Sequence, residues 1–118
     1  MILKGFLALV VCLAVAGVAV ADEGMGYSQP KSVTAVCLST SADVSWSPVT
    51  GPNFSGYNIY EKVSGESIYA KANLALVTTT EFTVQGLGSG LTYDFTVTAV
   101  YSDGGESTRP DPAMCTTG

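Results

Sequence analysis

The sequence contains no histidine, and this absence removes whole classes of chemistry. A Ser-His-Asp or Cys-His nucleophile system needs an imidazole base, and many zinc sites need imidazole ligands. Paired carboxylates can cleave glycosidic bonds without histidine, but they must flank a sugar in a cleft. A chain of 118 residues leaves too little material for a deep cleft. We therefore expect no catalytic residue, no metal ligand and no cofactor, in a protein that is not an enzyme.

Basic side chains are also scarce. Five Lys and Arg residues stand against ten Asp and Glu residues, which gives a formal net charge of −5. Binding to nucleic acid depends on clusters of basic side chains that neutralise phosphates, and no such cluster occurs. The same shortage disfavours attachment to anionic lipids. We expect no nucleic-acid partner, and we attribute the acidic balance mainly to solubility.

A long apolar run occurs at one place, from Phe6 to Val20 near the amino terminus. Lys4 precedes it, and an Ala-Val-Ala sequence ends just before Asp22, which is the arrangement of a secretory signal peptide. We predict that residues 1–21 are a signal peptide cleaved after Ala21. The chain would then be secreted, periplasmic or at the cell surface, with no membrane span after cleavage.

Three other interpretations of this segment stay open. It could be a retained membrane anchor, although the 16 residues from Phe6 to Ala21 fall short of the about 20 that a spanning helix needs. It could be a lipoprotein signal ending at Cys12, although Val11 stands where such signals have a small residue. It could be a prepilin leader cut before Phe6, although Val10 replaces the acidic residue expected there.

The rest of the chain predicts an all-β fold. Residues 22–30 are polar and lack an apolar period, so we predict a flexible lead-in. In residues 31–118 short alternating stretches are separated by Gly, Ser, Asn and Pro clusters. The clearest runs from Thr92 to Tyr101, with one face expected to be buried and the other wet. Weaker alternation occurs at Val33 and Ala35, at Ala42, Val44 and Trp46, at Tyr57 and Ile59, and at Phe82 and Val84.

These strands predict two packed sheets, because a single sheet would leave its apolar face in water. The segment from Ser107 to Cys115 contains two prolines, which cannot donate ladder hydrogen bonds, and we predict an edge strand there. Four acidic residues alternate with apolar ones in the predicted strands. We expect them on solvated strand faces: Asp43, Glu61, Glu81 and Asp94.

Three features fit one known domain pattern. Trp46 stands in the second predicted strand, Gly56-Tyr-Asn-Ile-Tyr60 stands in the third, and Leu87 lies six residues before Tyr93. Together they resemble a fibronectin type III domain of the kind attached to exported bacterial polysaccharide-degrading enzymes. Two residues depart from the family's pattern: Ser89 stands where Pro is common at the corner, and Leu91 stands where Thr is common. No Arg-Gly-Asp sequence occurs in the loop between the last two strands.

The resemblance implies a seven-stranded immunoglobulin-like β-sandwich over residues 31–118 in a bacterial exported protein. It also implies a tyrosine corner, in which the phenol of Tyr93 closes the turn before the sixth strand by hydrogen bonding to the backbone. The loops Pro48–Ser55 and Ser102–Glu106 would lie at one pole of such a sandwich. Loops at one pole are where such modules are expected to meet partners.

Two cysteines remain after removal of the leader, Cys37 and Cys115. Disulfides persist in exported proteins, so pairing is the leading hypothesis. In the implied sandwich the first and seventh strands run the same way, which brings these cysteines to the same pole. Two free thiols are an alternative, and a redox pair is a further one, although the chain lacks a Cys-x-x-Cys motif.

The predicted function is a non-catalytic exported β-sandwich module that mediates protein–protein interaction or extracellular assembly. Its partner would be an unknown protein or a second copy, with residues 22–30 as a strand donated to a neighbour. The alternative is a carbohydrate-binding module at the cell surface, with a polysaccharide as ligand. The candidate contact residues are aromatic side chains and two loop carboxylates: Phe54, Tyr60, Tyr69, Tyr101, Asp103 and Glu106.

Overall fold

The computed structural model describes residues 27–118, and its regular elements in this range are seven β-strands. The signal peptide predicted at 1–21 and residues 22–26 of the predicted lead-in lie outside the described residues. The strands are β1 Lys31–Cys37, β2 Ala42–Ser47, β3 Phe54–Val63, β4 Ala70–Lys71, β5 Glu81–Val84, β6 Thr92–Tyr101 and β7 Ala113–Thr116.

The seven strands form two antiparallel sheets, which confirms the predicted sandwich. The smaller sheet has the order β1-β2-β5, and the larger has the order β4-β3-β6-β7. The longest pairing joins β3 and β6, in which Ile59 lies opposite Val97 and Tyr57 lies opposite Ala99. Apolar residues that alternate along these strands therefore face the smaller sheet, as the sequence pattern predicts.

The core lies between the two sheets. Val44, Ile59 and Phe95 have no exposed surface, and Trp46 packs edge-on against Tyr57 with 5.1 Å between ring centroids. Burial of these large side chains removes apolar surface from water, which is the main favourable contribution to folding.

The outer face of β6 is buried as well, so the prediction of a wet face is wrong. Thr96 and Thr98 are 1% and 2% exposed. The chain between β6 and β7 contacts this face: the Thr96 hydroxyl donates to the carbonyl of Pro110 at 3.0 Å, and the Thr98 hydroxyl donates to Glu106. The alternation of apolar and polar residues in one strand does not indicate whether a later segment of the chain will cover its polar face.

Two of the four acidic residues also differ from prediction. Asp43 and Glu81 are exposed, as expected. Asp94 is instead buried on the covered face of β6. Glu61 lies opposite Phe95, which places it on the inward face at the margin of the core, where burial raises the pKa of its carboxyl. The prediction of solvated faces is therefore wrong for both.

The predicted last strand, Ser107–Cys115, is shorter and later than expected. The backbone N–H of Ser107 donates to the carbonyl of Ala99 at 2.8 Å, but regular pairing with β6 begins only at Ala113. The intervening residues include Pro110 and Pro112, which have no N–H to donate to a ladder. The edge position of β7 in its sheet is as predicted.

The tyrosine corner and the disulfide are both confirmed. The Tyr93 hydroxyl accepts a hydrogen bond from the backbone N–H of Gly88 at 2.7 Å, and Leu87 is buried beside it. Cys37 and Cys115 form a disulfide with 5.6 Å between their Cα atoms. These two features lie at the pole where β1 and β7 end.

Asn73 is a buried residue that the sequence did not single out. It is 3% exposed and lies just after the two-residue strand β4. Its Oδ1 accepts from the backbone N–H of Ile59 at 2.8 Å, and its Nδ2 donates to the Asn58 side chain and to the carbonyl of Ala75. The side chain thus continues the pairing of β3 where β4 has already ended.

We expect Asn73→Ala to lower the free energy of unfolding by about 2 kcal/mol, because it leaves the buried Ile59 N–H without an acceptor. Urea denaturation measures the change. Leu74→Ala is the matched control, since Leu74 is fully exposed and its truncation should change the free energy by less than about 0.5 kcal/mol. Equal effects of the two substitutions would contradict this role of Asn73.

Candidate functional site

The structure divides the six predicted contact residues between two places. Phe54, Tyr101 and Asp103 lie at the pole opposite the disulfide, where β3 begins and β6 ends. The other three lie on the outer face of the larger sheet, where Tyr60 and Glu106 are hydrogen bonded and Tyr69 is near.

The two loops lie together at the first pole, as the family resemblance implies, and they also contact each other. The backbone N–H of Ser102 donates to the carbonyl of Asn53 at 2.7 Å. The first loop is also held from the core, because the Tyr57 hydroxyl accepts from the backbone N–H of Val49 at 2.8 Å. The second loop closes on itself through Tyr101 N–H, which donates to the carbonyl of Gly105 at 2.8 Å.

Tyr27 is a third part of this pole, and sequence reasoning missed it. Its ring packs on that of Tyr101 with 4.9 Å between centroids, and its hydroxyl donates to Asp103 Oδ2 at 2.7 Å. A Cβ atom at Gly105 would overlap the Tyr27 ring, so only glycine leaves room for it. The one signal for Tyr27 was an aromatic residue in an otherwise polar segment. Residues 27–30 form no strand, but they contact the domain rather than extend away from it.

These contacts set the charge state at the pole. The hydrogen bond from the Tyr27 hydroxyl, followed by one from the backbone N–H of Gly105 at 2.9 Å, lowers the pKa of Asp103. The bond to Asp103 in turn raises the pKa of Tyr27. At neutral pH the pair is therefore a carboxylate and an uncharged phenol.

A recess of about 340 Å³ opens between these parts, and we call it the pole recess. Residues 50–53 form one wall, and Tyr27, Ser28, Tyr101 and Asp103 form the other. Phe54 packs beneath it against Tyr57, at 4.9 Å between centroids. Tyr101, a predicted contact residue, is only 7% exposed, because the ring of Tyr27 packs on it.

On the outer face of the larger sheet, Glu106 collects three donors. Its Oε2 accepts from the Tyr60 hydroxyl at 2.6 Å, from Asn58 Nδ2 at 3.3 Å and from the Thr98 hydroxyl. Burial opposes ionisation of Glu106, but the three hydrogen bonds together lower the pKa of its carboxyl. This carboxylate ties the chain after β6 to the sheet.

The two tyrosines on this face are covered by cations. The Arg109 guanidinium lies 5.4 Å from the ring centroid of Tyr60 and 4.9 Å from that of Tyr69. Lys62 Nζ lies 5.3 Å from the same Tyr69 centroid. Such cation–π contacts occupy ring faces that a sugar would need for stacking. No pattern in the sequence pointed to Arg109.

Lys62 also pairs with the buried Asp94. Lys62 Nζ lies 2.8 Å from Asp94 Oδ2, and the Ser64 hydroxyl donates to the other carboxylate oxygen. The bonds from Lys62 and Ser64 hold the pKa of Asp94 below its usual value. A carboxylate with a lowered folded-state pKa stabilises the fold above its unfolded-state pKa of about 3.9, and this contribution is lost as pH falls through the folded value.

We therefore expect the free energy of unfolding of the wild type to fall more steeply below pH 4 than that of Asp94→Asn. Urea denaturation at pH 2 to 6 measures both curves. Lys62→Met should flatten the curve in the same way, because it removes the other partner of the pair. Parallel curves for wild type and Asp94→Asn would show that the pair contributes nothing to acid sensitivity.

The described residues also bear on metal binding and on membrane insertion. Among residues 27–118 there is no group of three or more acidic, cysteine or histidine side chains placed to hold a metal ion. Over the same residues no helix is long and apolar enough to cross a membrane. What the pole and the sheet face offer is hydrogen-bonding groups and aromatic surface in fixed positions.

Comparisons with known proteins agree with this architecture. The structure is similar to a Fn3-like protein from Clostridium thermocellum, with 23% identity, a TM-score of 0.65 and coverage of 78% of this chain and 94% of that one. It is similar to titin module A71 from human cardiac muscle, with 23% identity, a TM-score of 0.64 and coverage of 74% and 88%. It is also similar to the FN5 domain of Drosophila Lar, with 31% identity, a TM-score of 0.59 and coverage of 75% and 95%.

A family model agrees as well. The model of the fibronectin type III domain matches residues 28–114. This range includes all the strands but the end of β7, and it includes the tyrosine corner at Tyr93. Domains of this kind are commonly non-catalytic modules. The chain belongs to the fibronectin type III domain family.

Proposed function

We propose that this chain is a non-catalytic exported module that binds another protein through the pole recess. The observation that carries the proposal is the fixing of the two loops, which hydrogen bond to each other and, through the Tyr57 hydroxyl, to the core. Loops that are held in place before binding lose less conformational freedom on association, which favours affinity. The recess joins aromatic, carboxylate and backbone groups, a mixture that suits protein partners.

The disulfide supports an exported location for this module. Disulfides persist in oxidising compartments and are rare in the cytosol. The Cys37–Cys115 bond and the predicted cleavage after Ala21 both favour a secreted, periplasmic or cell-surface protein. A bacterial origin is part of the same proposal and rests on the sequence resemblance alone.

The alternative, binding of a polysaccharide, has weaker support. Aromatic platforms for sugars need free ring faces, but cations lie over Tyr60 and Tyr69, and Tyr101 is buried under Tyr27. Affinity electrophoresis in gels that contain soluble polysaccharides measures this alternative. We expect no retardation. Retardation that Tyr60→Ala or Tyr69→Ala abolishes would favour polysaccharide binding over protein binding at the pole recess.

The proposal is tested by capture of partners on immobilised protein. The bait is the mature domain, and the sample is the extracellular and envelope fraction of the cells that export it. The pole variant is Pro52→Lys with Ser102→Lys, since both residues are exposed on the two loops. We expect this variant to recover at least tenfold less of any protein that the wild type captures.

The matched control carries the same two added charges at the opposite pole, as Ser39→Lys with Gln85→Lys, where both residues are also exposed. It should capture as much as the wild type. Capture that survives in the pole variant, or that both variants lose equally, would overturn the assignment of binding to the recess.

A further inference from the structure

We infer that the notch formed by Tyr101, Asp103 and Gly105 is an acceptor site for a tyrosine side chain, and that Tyr27 of the same chain occupies it in this structure. The partner that fits it is a protein that presents an exposed tyrosine and displaces Tyr27. This inference rests on the proposed function of the pole recess and names the chemistry by which a partner is recognised there.

The notch fits a phenol in three respects. The Tyr101 ring supplies an apolar wall, 4.9 Å between centroids from the bound ring. Asp103 Oδ2 accepts from the hydroxyl at 2.7 Å. Gly105 lies at the base of the notch, and a Cβ atom at this position would overlap the bound ring. Phenylalanine would keep the first contact and lose the second, because it has no donor for the carboxylate.

The present occupant is held in a way that permits exchange. Tyr27 lies before the 28–114 family match and before β1. Within the described range no backbone-to-backbone hydrogen bond joins Tyr27 or Ser28 to another residue. Displacement therefore breaks the ring contact, the exposed bond to Asp103 and the bond from the Tyr101 hydroxyl to the carbonyl of Ser28. No strand has to leave a sheet.

Tethering decides which tyrosines can compete. A short tether gives Tyr27 an effective concentration in the millimolar range at its own notch, so an isolated phenol does not displace it efficiently. A partner tyrosine gains from further contacts along residues 50–53, which form the other wall of the recess. The tethered Tyr27 side chain therefore keeps weak ligands out of the notch, and a partner that contacts the whole recess can displace it.

The experiment uses the mature chain with Tyr27→Ala and the probe N-acetyl-L-tyrosinamide, followed by the NMR shift of the Gly105 amide. We expect saturable binding at millimolar concentrations, and binding at least tenfold weaker to the wild type. N-acetyl-L-phenylalaninamide should bind several-fold more weakly than the tyrosine probe, because it makes no bond to Asp103.

Two controls define the site. Adding Gly105→Ala to Tyr27→Ala should abolish binding, since the new methyl group occupies the base of the notch. Should Tyr27→Ala fail to fold, Tyr27→Phe takes its place: it keeps the ring contact but lacks the bond to Asp103, so the tyrosine probe should bind it more tightly than it binds the wild type. Unsaturable shifts, or equal affinity for the tyrosine and phenylalanine probes, would overturn the inference.

The outcomes separate this inference from the proposed function. Partner capture that depends on the pole, together with no probe binding, would leave the recess as an interaction surface and refute the tyrosine notch. Probe binding without any captured partner would leave the notch and refute the proposed function. A third outcome is that the wild type dimerises as its concentration rises and Tyr27→Ala abolishes the dimer. The notch would then bind a second copy of this chain, and the inference that its partner is a different protein would be overturned.

Discussion

Removal of the Cys37–Cys115 disulfide is expected to lower the free energy of unfolding by about 4.5 kcal/mol. The bond joins residues separated by 78 positions, and cross-linking a loop of that length removes much conformational entropy from the unfolded chain in the chain-entropy model. Domains of this size are stabilised by roughly 5 to 15 kcal/mol in total. The reduced domain should therefore be marginal at best.

The measurement is urea denaturation of the oxidised protein and of Cys37→Ser with Cys115→Ser. A control for the changed side chains is the reduced and unalkylated wild type, which keeps both sulfur atoms and loses only the bond. The two should unfold at similar urea concentrations, well below that of the oxidised form. A difference under about 1 kcal/mol between the oxidised and reduced wild type would contradict the structural role of the disulfide.

Truncation of Tyr57 to alanine is expected to lower the free energy of unfolding by about 4 kcal/mol, as large aromatic deletions in cores do. Tyr57 is 2% exposed and packs between the rings of Trp46 and Phe54. Its hydroxyl also accepts a hydrogen bond from the buried backbone N–H of Val49, which anchors the first loop of the pole. This substitution should therefore weaken both the core and the site.

Tyr57→Phe separates these two effects. It keeps the ring and removes only the acceptor of the Val49 N–H, which should lower the free energy of unfolding by about 1 to 2 kcal/mol. Capture of partners should fall more in this variant than its stability loss alone accounts for, because residues 48–53 lose an anchor. Equal stability of Tyr57→Phe and the wild type would show that the bond does not hold the loop.

The sandwich, the corner and the disulfide could be predicted because each depends on a repeated or paired signal. The strands alternate with period two, the resemblance to a known family implies the corner at Leu87 and Tyr93, and only two cysteines remain to pair once the predicted leader is set aside. The common pole of the two loops followed from the fold that the resemblance implies. These features depend on local pattern and topology, which a single sequence carries.

The covered face of β6 and the role of Tyr27 could not be predicted in this way. Thr96 and Thr98 read as polar, and only the path of the chain around Pro110 buries them. Tyr27 lies in a segment without periodicity, and its place depends on a glycine 78 residues later. Such contacts arise from irregular segments whose course no local pattern determines.

The same limit applied to Arg109, whose guanidinium lies over the rings of Tyr60 in β3 and of Tyr69 just before the neighbouring strand β4. A single basic residue among prolines gives no sign of which rings it will cover. Its position decides the interpretation of Tyr60 and Tyr69, since covered rings are poor platforms for sugars. The division of the predicted contact residues into a sheet face and a pole therefore needed the structure.

The most direct test of the proposal that the pole recess binds a protein is site-specific photo-crosslinking in cells that produce the chain. A photoreactive residue replaces Pro52 at the recess in one strain and Gln85 at the opposite pole in another, both at exposed positions. We expect a discrete higher-mass adduct at position 52 that protease treatment removes, and none at position 85. Adducts of equal yield at both positions, or at position 85 alone, would contradict the proposal.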